Sequence, residues 1–371
     1  MSKKSKIKVG VIGCGNISHA YFYGLGLFPD LIEVVRCGDL DTAKAQARAT
    51  EFHIPQTGTT EEVLADPEID LILNLTVPKA HAAINLAALK KGKHVYCEKP
   101  FSITSDEGKR VISYAMSKRL RVGTAPDTFL GSGLQTCRKL IDDGAIGKPI
   151  GATGFMVCPG HESWHPSPEF YYETGGGPMF DMGPYYLTAL VHLLGPAKRV
   201  SASAQKTFST RTITSQPLKG KKIKVETPTH YSGTVDFANG AVATVVMSFD
   251  VQGARLPRLE IYGTEGTLSC PDPNNFHDDN SISILRKSKS EWETIPLLHP
   301  HRVGRGMGVA DMAKAILTGR VHRCNGEMGY HVVEVMQAFE KSSKSGRHIS
   351  IRSTCRQPKA LPANLQTGDM D

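Results

Sequence analysis

The chain has 371 residues, 40% hydrophobic and 22% charged, which is the composition of a folded globular protein and excludes a disordered or fibrous one. This length predicts two domains. The formal net charge is +8, but the basic residues are scattered and lack the interleaved aromatics of nucleic-acid-binding surfaces. Apolar runs are too short to span a bilayer and no signal-peptide core follows the basic start. We therefore expect a cytoplasmic protein without membrane or nucleic-acid partners.

The eight cysteines show neither C-x-x-C pairs nor the spacing of a metal finger. Several lie in apolar stretches, where cysteine acts as a small hydrophobic residue. We expect free thiols in a reducing compartment and no metal site.

The first part of the chain alternates strand and helix patterns with short loops. Predicted strands cover Ile7–Ile12, Leu31–Cys37, Ile69–Leu75, His94–Cys97 and Leu120–Thr124. Predicted helices cover His19–Phe28, Thr42–His53, Lys79–Lys90 and Ser105–Lys118. Strict alternation predicts an α/β domain with a parallel sheet, which we place at residues 1–125.

After residue 125 the pattern changes to strands that follow one another. Predicted strands cover Ile150–Val157, Val200–Thr207, Tyr231–Phe237, Ala241–Phe249, Arg258–Tyr262 and Thr267–Ser269, and predicted helices cover Gly133–Asp143, Met182–Leu194, Gly308–Leu317 and Glu327–Ser343. The Asn239-Gly240 pair indicates a hairpin turn. We predict that residues 126–371 form an α+β domain with a large open, mainly antiparallel sheet and about fifteen frayed residues at the end.

A glycine-rich turn at residues 13–18 follows the first strand and opens the first helix. Gly13 permits the tight turn and Gly15 lets the backbone approach a pyrophosphate, and we place Asn16 and Ile17, which lead into the helix, at the cofactor as well. The third glycine of the usual pattern is replaced by a small serine. In this strand–turn–helix context the motif predicts a Rossmann-type dinucleotide site.

An acidic residue at the end of the second strand decides which dinucleotide is expected. Asp39 lies about 20 residues beyond the glycines, where a carboxylate accepts hydrogen bonds from the adenosine ribose and repels a 2′-phosphate. NAD is therefore preferred to NADP. Asp41, a plausible helix N-cap, is the competing carboxylate, and Arg36 and Arg48 keep NADP as the alternative.

The Glu98-Lys99-Pro100 segment stands at the carboxyl end of a predicted parallel strand, where open α/β sheets bind ligands. A lysine there can donate a hydrogen bond to a substrate oxygen. Without the other motifs, however, Lys99 would be interpreted as a solvated residue at the start of a loop. Thr76 and His81 follow the preceding strand, and we place them with Glu98 and Lys99 at the cofactor.

These motifs together resemble the glucose–fructose oxidoreductase / inositol dehydrogenase / rhizopine-catabolism family of NAD(P)-dependent oxidoreductases. The resemblance rests on Glu98-Lys99-Pro100 combined with the triple glycine and aspartate of Gly175–Gly183, and it covers nearly the whole chain. It implies that Lys99 lines the site where substrate meets nicotinamide. The family aspartate matches Asp181, and Tyr185 stands where many members carry a histidine.

The resemblance leaves the proton acceptor open. A four-residue spacing places Asp181 and Tyr185 on one helix face, where the carboxylate can orient the base. A phenol acting as base needs a neighbouring cation such as Lys99. His192 on the same predicted helix is the alternative acceptor, although a core position suits it better.

A polar, aromatic loop precedes the triple glycine. Planar polar groups beside an aromatic face suit a polyhydroxylated ring, and this loop supplies both. We predict that substrate is bound by Lys99 and Tyr185 together with His161, Glu162, Trp164 and His165, and by Asp127 at the crossing between domains. The competing interpretations are an ordinary surface loop or a metal site, and the latter lacks an evident third ligand.

These observations predict an NAD-dependent oxidoreductase that oxidises a secondary hydroxyl of a sugar or glycoside. The resemblance adds C3 of a glucoside as a candidate position and tightly held, internally recycled NAD. The alternatives are a reductase of a small ketone or imine and a non-catalytic sugar-sensing regulator. An open sheet with two apolar faces predicts a homodimer or homotetramer.

Overall fold

The computed structural model describes residues 6–277 and 281–371. The first strands are β1 (Ile7–Ile12), β2 (Ile32–Gly38), β3 (Gln56–Gly58), β4 (Leu71–Asn74), β5 (His94–Cys97) and β6 (Val122–Thr124). The helices between them are α1 (Ser18–Leu25), α2 (Thr42–Phe52), α3 (Thr60–Ala65), α4 (His81–Lys90) and α5 (Ser105–Lys118). Sequence reasoning missed β3 and α3, although Thr59 and Glu62 form a capping box at the start of α3.

The remaining elements follow in chain order. The helices are α6 (Ser132–Asp142), α7 (Gly177–Asp181), α8 (Gly183–Leu194), α9 (Met307–Thr318) and α10 (Gly326–Ser345). The strands are β7 (Pro149–Val157), β8 (Ala197–Gln205), β9 (Thr210–Thr212), β10 (Lys222–Lys224), β11 (His230–Phe237), β12 (Val242–Ser248), β13 (Leu259–Gly263), β14 (Gly266–Cys270), β15 (Ser283–Arg286), β16 (Glu293–Thr294) and β17 (Ile349–Ser350). Short 3-10 turns cover Pro78–Ala80, Thr128–Leu130 and Glu169–Tyr172.

The chain divides into two compact units that are discontinuous in sequence. Unit 1 contains the described part of Met1–Gln135 together with Leu298–Tyr330 and Pro358–Asp371. Unit 2 contains the described part of Thr136–Leu297 together with His331–Gln357. The predicted segments 1–125 and 126–371 differ from this division, because two later segments of the chain pack within unit 1.

The six-stranded sheet of unit 1 has the order β3-β2-β1-β4-β5-β6, and its strands pair in parallel. The middle strands β1 and β4 are almost wholly apolar and buried, as expected for a parallel sheet covered on both faces. The carboxyl ends of β1, β2, β4 and β5 therefore meet at one edge. The predicted α/β class is confirmed.

Two later segments complete unit 1. Gly123 of β6 forms an isolated bridge with Asn325, so the returning chain covers the edge of the sheet. A Cβ atom on Gly24 of α1 would lie 1.8 Å from the carbonyl oxygen of Arg305, which shows how closely the segment before α9 approaches this helix. Arg323 binds both Asp311 and Asp371, and this ion pairing explains why the predicted frayed end is attached to unit 1.

The nine-stranded sheet of unit 2 has the order β16-β15-β14-β13-β7-β12-β11-β8-β17. Its pairings are antiparallel except for β7 with β12, which confirms a large, mainly antiparallel sheet. Gly240, with φ of +93°, forms the predicted hairpin turn between β11 and β12. In β12, Ala243, Val245 and Met247 face the core, whereas Val242 is 46% exposed on the other face.

All eight cysteines are free thiols, and seven of them are buried. Within the described residues, no helix is both long and apolar enough for a transmembrane span. A search of the same residues finds no group of three or more histidine, cysteine, aspartate or glutamate side chains placed to hold a metal ion.

Candidate active site

The turn between β1 and α1 has the geometry of a dinucleotide loop. Gly13 has φ of +100°, and a Cβ atom there would lie 2.6 Å from the carbonyl of Leu75, so no larger residue fits. A Cβ atom on Gly15 would meet nothing within 4 Å, which leaves this backbone open to a ligand. Helix α1 begins after Ile17 without a side-chain cap or an acidic residue in its first turn. The N–H groups at the start of this helix suit a pyrophosphate.

Asp39 directly follows β2 and faces the glycine loop. Its Oδ2 accepts the backbone N–H of Cys14 at 2.7 Å, and its Oδ1 accepts that of Asp41 at 2.9 Å. Asp41 is the N-cap of α2, since its Oδ1 accepts the N–H of Ala43 at 3.1 Å. Of the two candidate carboxylates, Asp39 is the one that contacts the dinucleotide loop.

Arg36 and Arg48, the two arginines that leave NADP as the alternative cofactor, both have carboxylate partners. Arg36 lies 3.2 Å from Asp66, and Arg48 donates to Glu51 at 2.6 Å. A cation already paired with a carboxylate is a weaker partner for a 2′-phosphate. The residues around the loop therefore fit NAD better than NADP.

His81 lies beneath the loops that follow β4 and β5. Its side chain is fully buried, with Nδ1 2.7 Å from the carbonyl oxygen of Pro100 and Nε2 2.9 Å from that of Thr76. Burial lowers the pKa of His81, so the neutral ring donates to one of the two carbonyls. The ring thus connects the two loops and positions Thr76 and the lysine loop, which differs from the predicted contact with cofactor.

Glu98 and Lys99 have different environments at the end of β5. Glu98 is buried; its Oε1 accepts the hydroxyl of Tyr21 at 2.8 Å and its Oε2 accepts the backbone N–H of Lys99 at 2.8 Å. Burial raises the pKa of Tyr21, so its phenol remains a donor. The side chain of Glu98 thus links Tyr21 of α1 to the lysine loop, while Lys99 is half-buried.

Asp127 has a structural environment in place of the predicted contact with substrate. Its side chain is 0% exposed, and Oδ2 accepts the backbone N–H groups of Gly306 and Gly308 at 2.9 and 3.0 Å. Desolvation raises the pKa of Asp127. The carboxylate secures the segment that leads into α9 and is inaccessible to a ligand.

Asp181 and Tyr185 fall on two helices and not on the single helix predicted. Asp181 ends α7, Met182 separates the helices, and Tyr185 lies in the first turn of α8 with 5% exposure. His192 is fully buried further along α8, and its carbonyl accepts hydrogen bonds from Arg138 at 2.9 Å and from Gln357. This burial gives His192 a core position, as its apolar surroundings in the sequence suggested.

The loop before the triple glycine brings His161 to Asp181, with 3.6 Å between Nε2 and Oδ2. The imidazole packs on Tyr171, with 4.2 Å between ring centroids. Trp164 is 60% exposed, and Nδ1 of His165 accepts the N–H of Ser167 at 3.0 Å. Burial lowers the pKa of His165, and proximity to His161 lowers it further. The predicted loop residues thus present an exposed aromatic face close to a histidine–aspartate pair.

Sequence reasoning missed Arg211, which holds this loop from strand β9. Its guanidinium donates to Glu162 at 2.5 Å, to the carbonyl of Pro159 at 2.9 Å and to Asp250. Glu162 also accepts the hydroxyl of Tyr172, so its side chain is engaged within unit 2. Forty-nine positions separate Arg211 from Glu162, and no local pattern connects them.

Two family models match the chain. The model described as an oxidoreductase family with an NAD-binding Rossmann fold matches residues 7–125, and the GFO/IDH/MocA C-terminal domain matches residues 134–269. Together these segments cover well over half of the chain.

Individual relatives are distant. The chain is 22% identical to scyllo-inositol 2-dehydrogenase (NADP(+)) of Bacillus subtilis, over 94% of this chain and 97% of the relative. It is 27% identical to 1,5-anhydro-D-fructose reductase of Ensifer adhaerens, over 70% of this chain and 74% of the relative. It is 24% identical to levoglucosan dehydrogenase of Pseudarthrobacter phenanthrenivorans, over 71% and 73% respectively.

Solved structures share the fold. An NAD-binding oxidoreductase from Klebsiella pneumoniae has a TM-score of 0.80 at 22% identity, over 94% of this chain and 99% of that one. Levoglucosan dehydrogenase in complex with NADH and L-sorbose has a TM-score of 0.80 at 22% identity, over 94% and 100%. The two family models match in order along the chain, and the glycine loop, the Asp39 carboxylate and the open-sheet unit agree with them. The chain therefore belongs to the glucose–fructose oxidoreductase, inositol dehydrogenase and rhizopine-catabolism family of NAD(P)-dependent oxidoreductases.

Proposed function

We propose that this protein is an NAD-dependent dehydrogenase that oxidises a secondary hydroxyl of a sugar or glycoside. The observation that carries the proposal is the loop of unit 2, where the exposed ring of Trp164 adjoins the pair of His161 and Asp181. An aromatic face beside polar groups suits a ring that is apolar on one side and hydroxylated at its edge. The names of the relatives, which include levoglucosan and inositol dehydrogenases, support the same substrate class.

Unit 1 carries the residues that we expect to bind the cofactor. Gly13, Gly15 and the N–H groups at Asn16 and Ile17 would hold the pyrophosphate, and Asp39 would accept the ribose hydroxyls. Bound NAD supplies a hydride acceptor at the nicotinamide.

The chain's own polar groups would handle the hydroxyl and its proton. Lys99 donates a hydrogen bond to the reacting oxygen, so that the alkoxide character that develops there is stabilised. Asp181 orients the base that takes the proton. Of the two bases predicted from the sequence, we favour Tyr185 in the first turn of α8 over His192, whose side chain is fully buried further along that helix.

The finer details of the reaction are also proposals. We place the oxidised position at C3 of a glucoside and propose that NAD stays tightly bound and is recycled by a second sugar. The first test is to denature the purified protein and identify the dinucleotide that it releases. A glycoside panel monitored at 340 nm follows, with a 3-O-methyl glucoside as the control that cannot be oxidised at C3. Turnover of that control would contradict the C3 assignment, and turnover of no sugar would contradict the proposed function.

One relative favours a second candidate function, the reduction of a small ketone. The chain is 27% identical over 265 residues to a protein named 1,5-anhydro-D-fructose reductase. The two functions differ in direction, which the same absorbance assay resolves. Faster oxidation of NADH by a keto sugar than reduction of NAD by the matching alcohol, at equal saturation near neutral pH, would favour the reductase.

We also propose a homodimer or homotetramer formed through the open face of the unit 2 sheet. Val242 of β12 is 46% exposed on this face, beside Thr153 and Tyr262, whose hydroxyls are hydrogen-bonded to each other. A broad, mostly uncharged sheet face is the kind of surface that a second copy buries. Light scattering in dilute buffer of moderate salt tests this, since a mass near the 40.3 kDa of one chain would contradict it.

A further inference from the structure

We propose that His161, paired with Asp181, is the acid–base residue of the reaction, in place of the Tyr185 that the family pattern suggests. This inference rests on the proposed function, because it assigns the group that receives the hydroxyl proton. It depends on one feature of unit 2, in which a loop histidine approaches the aspartate that ends α7.

The geometry of the pair is that of a base held by a carboxylate. Nε2 of His161 lies 3.6 Å from Oδ2 of Asp181, and the two side chains keep 11% and 17% exposure. Such contacts are commonly long without substrate and shorten when it binds. Nε2 is buried without a hydrogen-bond partner among the described residues, and the carboxylate of Asp181 is the charged group that faces it. A ring that donates from Nε2 has an unprotonated Nδ1 as its acceptor.

The position of the imidazole is fixed from several sides. Its ring contacts both Tyr171 and Phe249, with centroid distances of 4.2 and 4.5 Å. Its backbone N–H donates to the hydroxyl of Tyr172 at 3.3 Å. No described residue forms a hydrogen bond with Nδ1, so this nitrogen remains available to a ligand. A base held in one orientation needs little reorganisation during the reaction.

Two carboxylates lie near the ring of His161, and only one of them is paired with an arginine in the contacts described above. Asp181 faces Nε2 directly, and the neighbouring Glu162 adds a second carboxylate whose charge is paired with Arg211. His165 lies in the same loop, and Tyr171 and Tyr172 contact the ring or its backbone. Asp181 is therefore the carboxylate that would stabilise a proton gained by the ring. Imidazole also exchanges protons near neutral pH without the neighbouring cation that a phenol requires.

The proposed step balances without a further reactant. The O–H bond of the substrate breaks as its proton passes to the lone pair of Nδ1 on His161. Bound NAD would supply the acceptor for the hydride of the carbinol C–H bond, and the electron pair of the broken O–H bond would form the C=O bond of the product. The alcohol is oxidised by two electrons, and the imidazolium later releases the proton to water.

The test combines kinetics with a spectroscopic readout that needs no substrate. Nitrogen-15 spectra of histidine-labelled protein are compared for wild type and Asp181→Asn, to find which ring nitrogen of His161 carries the proton. The pH profile of kcat/KM is then measured for wild type, His161→Asn, Tyr185→Phe and His165→Asn. NADH binding followed by fluorescence shows whether unit 1 is intact in each variant. Imidazole is added to His161→Gly as a rescue.

The expected result is the Nε2–H form in wild type and its loss in Asp181→Asn. His161→Asn should lower kcat by at least about 10²-fold and remove the acid limb of the pH profile, with partial rescue of His161→Gly by imidazole. His165→Asn should raise KM and keep the acid limb. The assignment is overturned if His161 carries its proton on Nδ1, or if Tyr185→Phe removes the acid limb and His161→Asn keeps it. An Nε2–H form that depends on Asp181, in a protein that turns over no sugar, would support the pair and contradict the proposed function.

Discussion

In unit 1 the groups expected at the cofactor are arranged mainly by backbone geometry, whereas in unit 2 the groups expected at the substrate are arranged by side chains. Gly13 takes its positive φ and Gly15 stays open because of the turn itself. The loop that carries His161 is instead held by Arg211, whose ion pairs reach it from another strand. A site formed by the backbone of one turn needs only the right residues in one short segment. A site whose side chains are held by distant residues needs the whole unit to be folded.

The largest expected effect is on turnover and comes from unit 1. Lys99→Ala should lower kcat by about 10²- to 10⁴-fold, because it removes a positioned donor to the reacting oxygen. NADH affinity, measured by fluorescence titration, should stay near the wild-type value. Lys90→Ala, which removes an exposed lysine from the end of α4, serves as the control. Wild-type turnover in Lys99→Ala would remove this lysine from the mechanism.

A large loss of stability is expected when the ion pairs of Arg211 in unit 2 are removed. Arg211→Met leaves Glu162 and Asp250 buried without their cation, and we expect the free energy of unfolding to fall by about 3–5 kcal/mol. The matched control is Arg199→Met, which breaks an arginine–aspartate pair whose arginine is 51% exposed and should lose less than about 1 kcal/mol. Denaturant unfolding measures both. Equal losses in the two variants would show that burial does not distinguish these pairs.

Lowering the pH should reduce the stability of unit 2 because His331 is buried in its neutral form. Its Nε2 accepts the backbone N–H of Ala197 at 2.9 Å, and burial lowers the pKa of His331 to about 4. His331 of the unfolded chain is protonated at a higher pH than His331 of the folded chain. The contribution of the neutral ring to the free energy of unfolding is therefore fully present above about pH 6.5 and is lost as the pH drops toward 4. The loss attributable to this residue should reach about 3 kcal/mol. Melting temperatures of wild type and His331→Gln across this range should converge at low pH, and parallel curves would refute the assignment.

The smallest effect tests the cofactor preference of unit 1. Asp39→Ala should reduce the preference for NAD over NADP by about 1–3 kcal/mol, the contribution of a charged hydrogen bond. Asp41→Ala is the control, because it removes the N-cap of α2 and should lower stability by about 1 kcal/mol without changing selectivity. Titrations of each variant with NAD and with NADP measure the ratio of the two affinities. Unchanged selectivity in Asp39→Ala would mean that another group recognises the ribose.

The same contrast explains what the sequence could predict. The glycine turn, Asp41 as the N-cap and the Asn239-Gly240 hairpin are local, because each depends on residues within a few positions of one another. The burial of His81, Glu98 and Asp127 escaped prediction, since each meets partners supplied by distant segments.

The site of unit 2 was only partly predictable for the same reason. Its residue types pointed to a sugar, but the approach of His161 to Asp181 depends on how the loop folds back onto the end of α7. Arg211 has no local signature at all. Spacing along one helix suggests Asp181 and Tyr185 as partners, but the chain breaks at Met182, so the two residues belong to separate helices that the spacing did not predict.

The discontinuity of unit 1 has a consequence for its synthesis on the ribosome. The bridge between Gly123 and Asn325 cannot form until the later segment is made, so the edge at β6 stays unpaired meanwhile. At about 5–20 residues per second, translation from Gln135 to Tyr330 takes about 10–40 s. During that interval the nascent chain offers an open strand edge, which is the kind of surface that chaperones shield. Residues 1–125 expressed alone would keep that edge permanently.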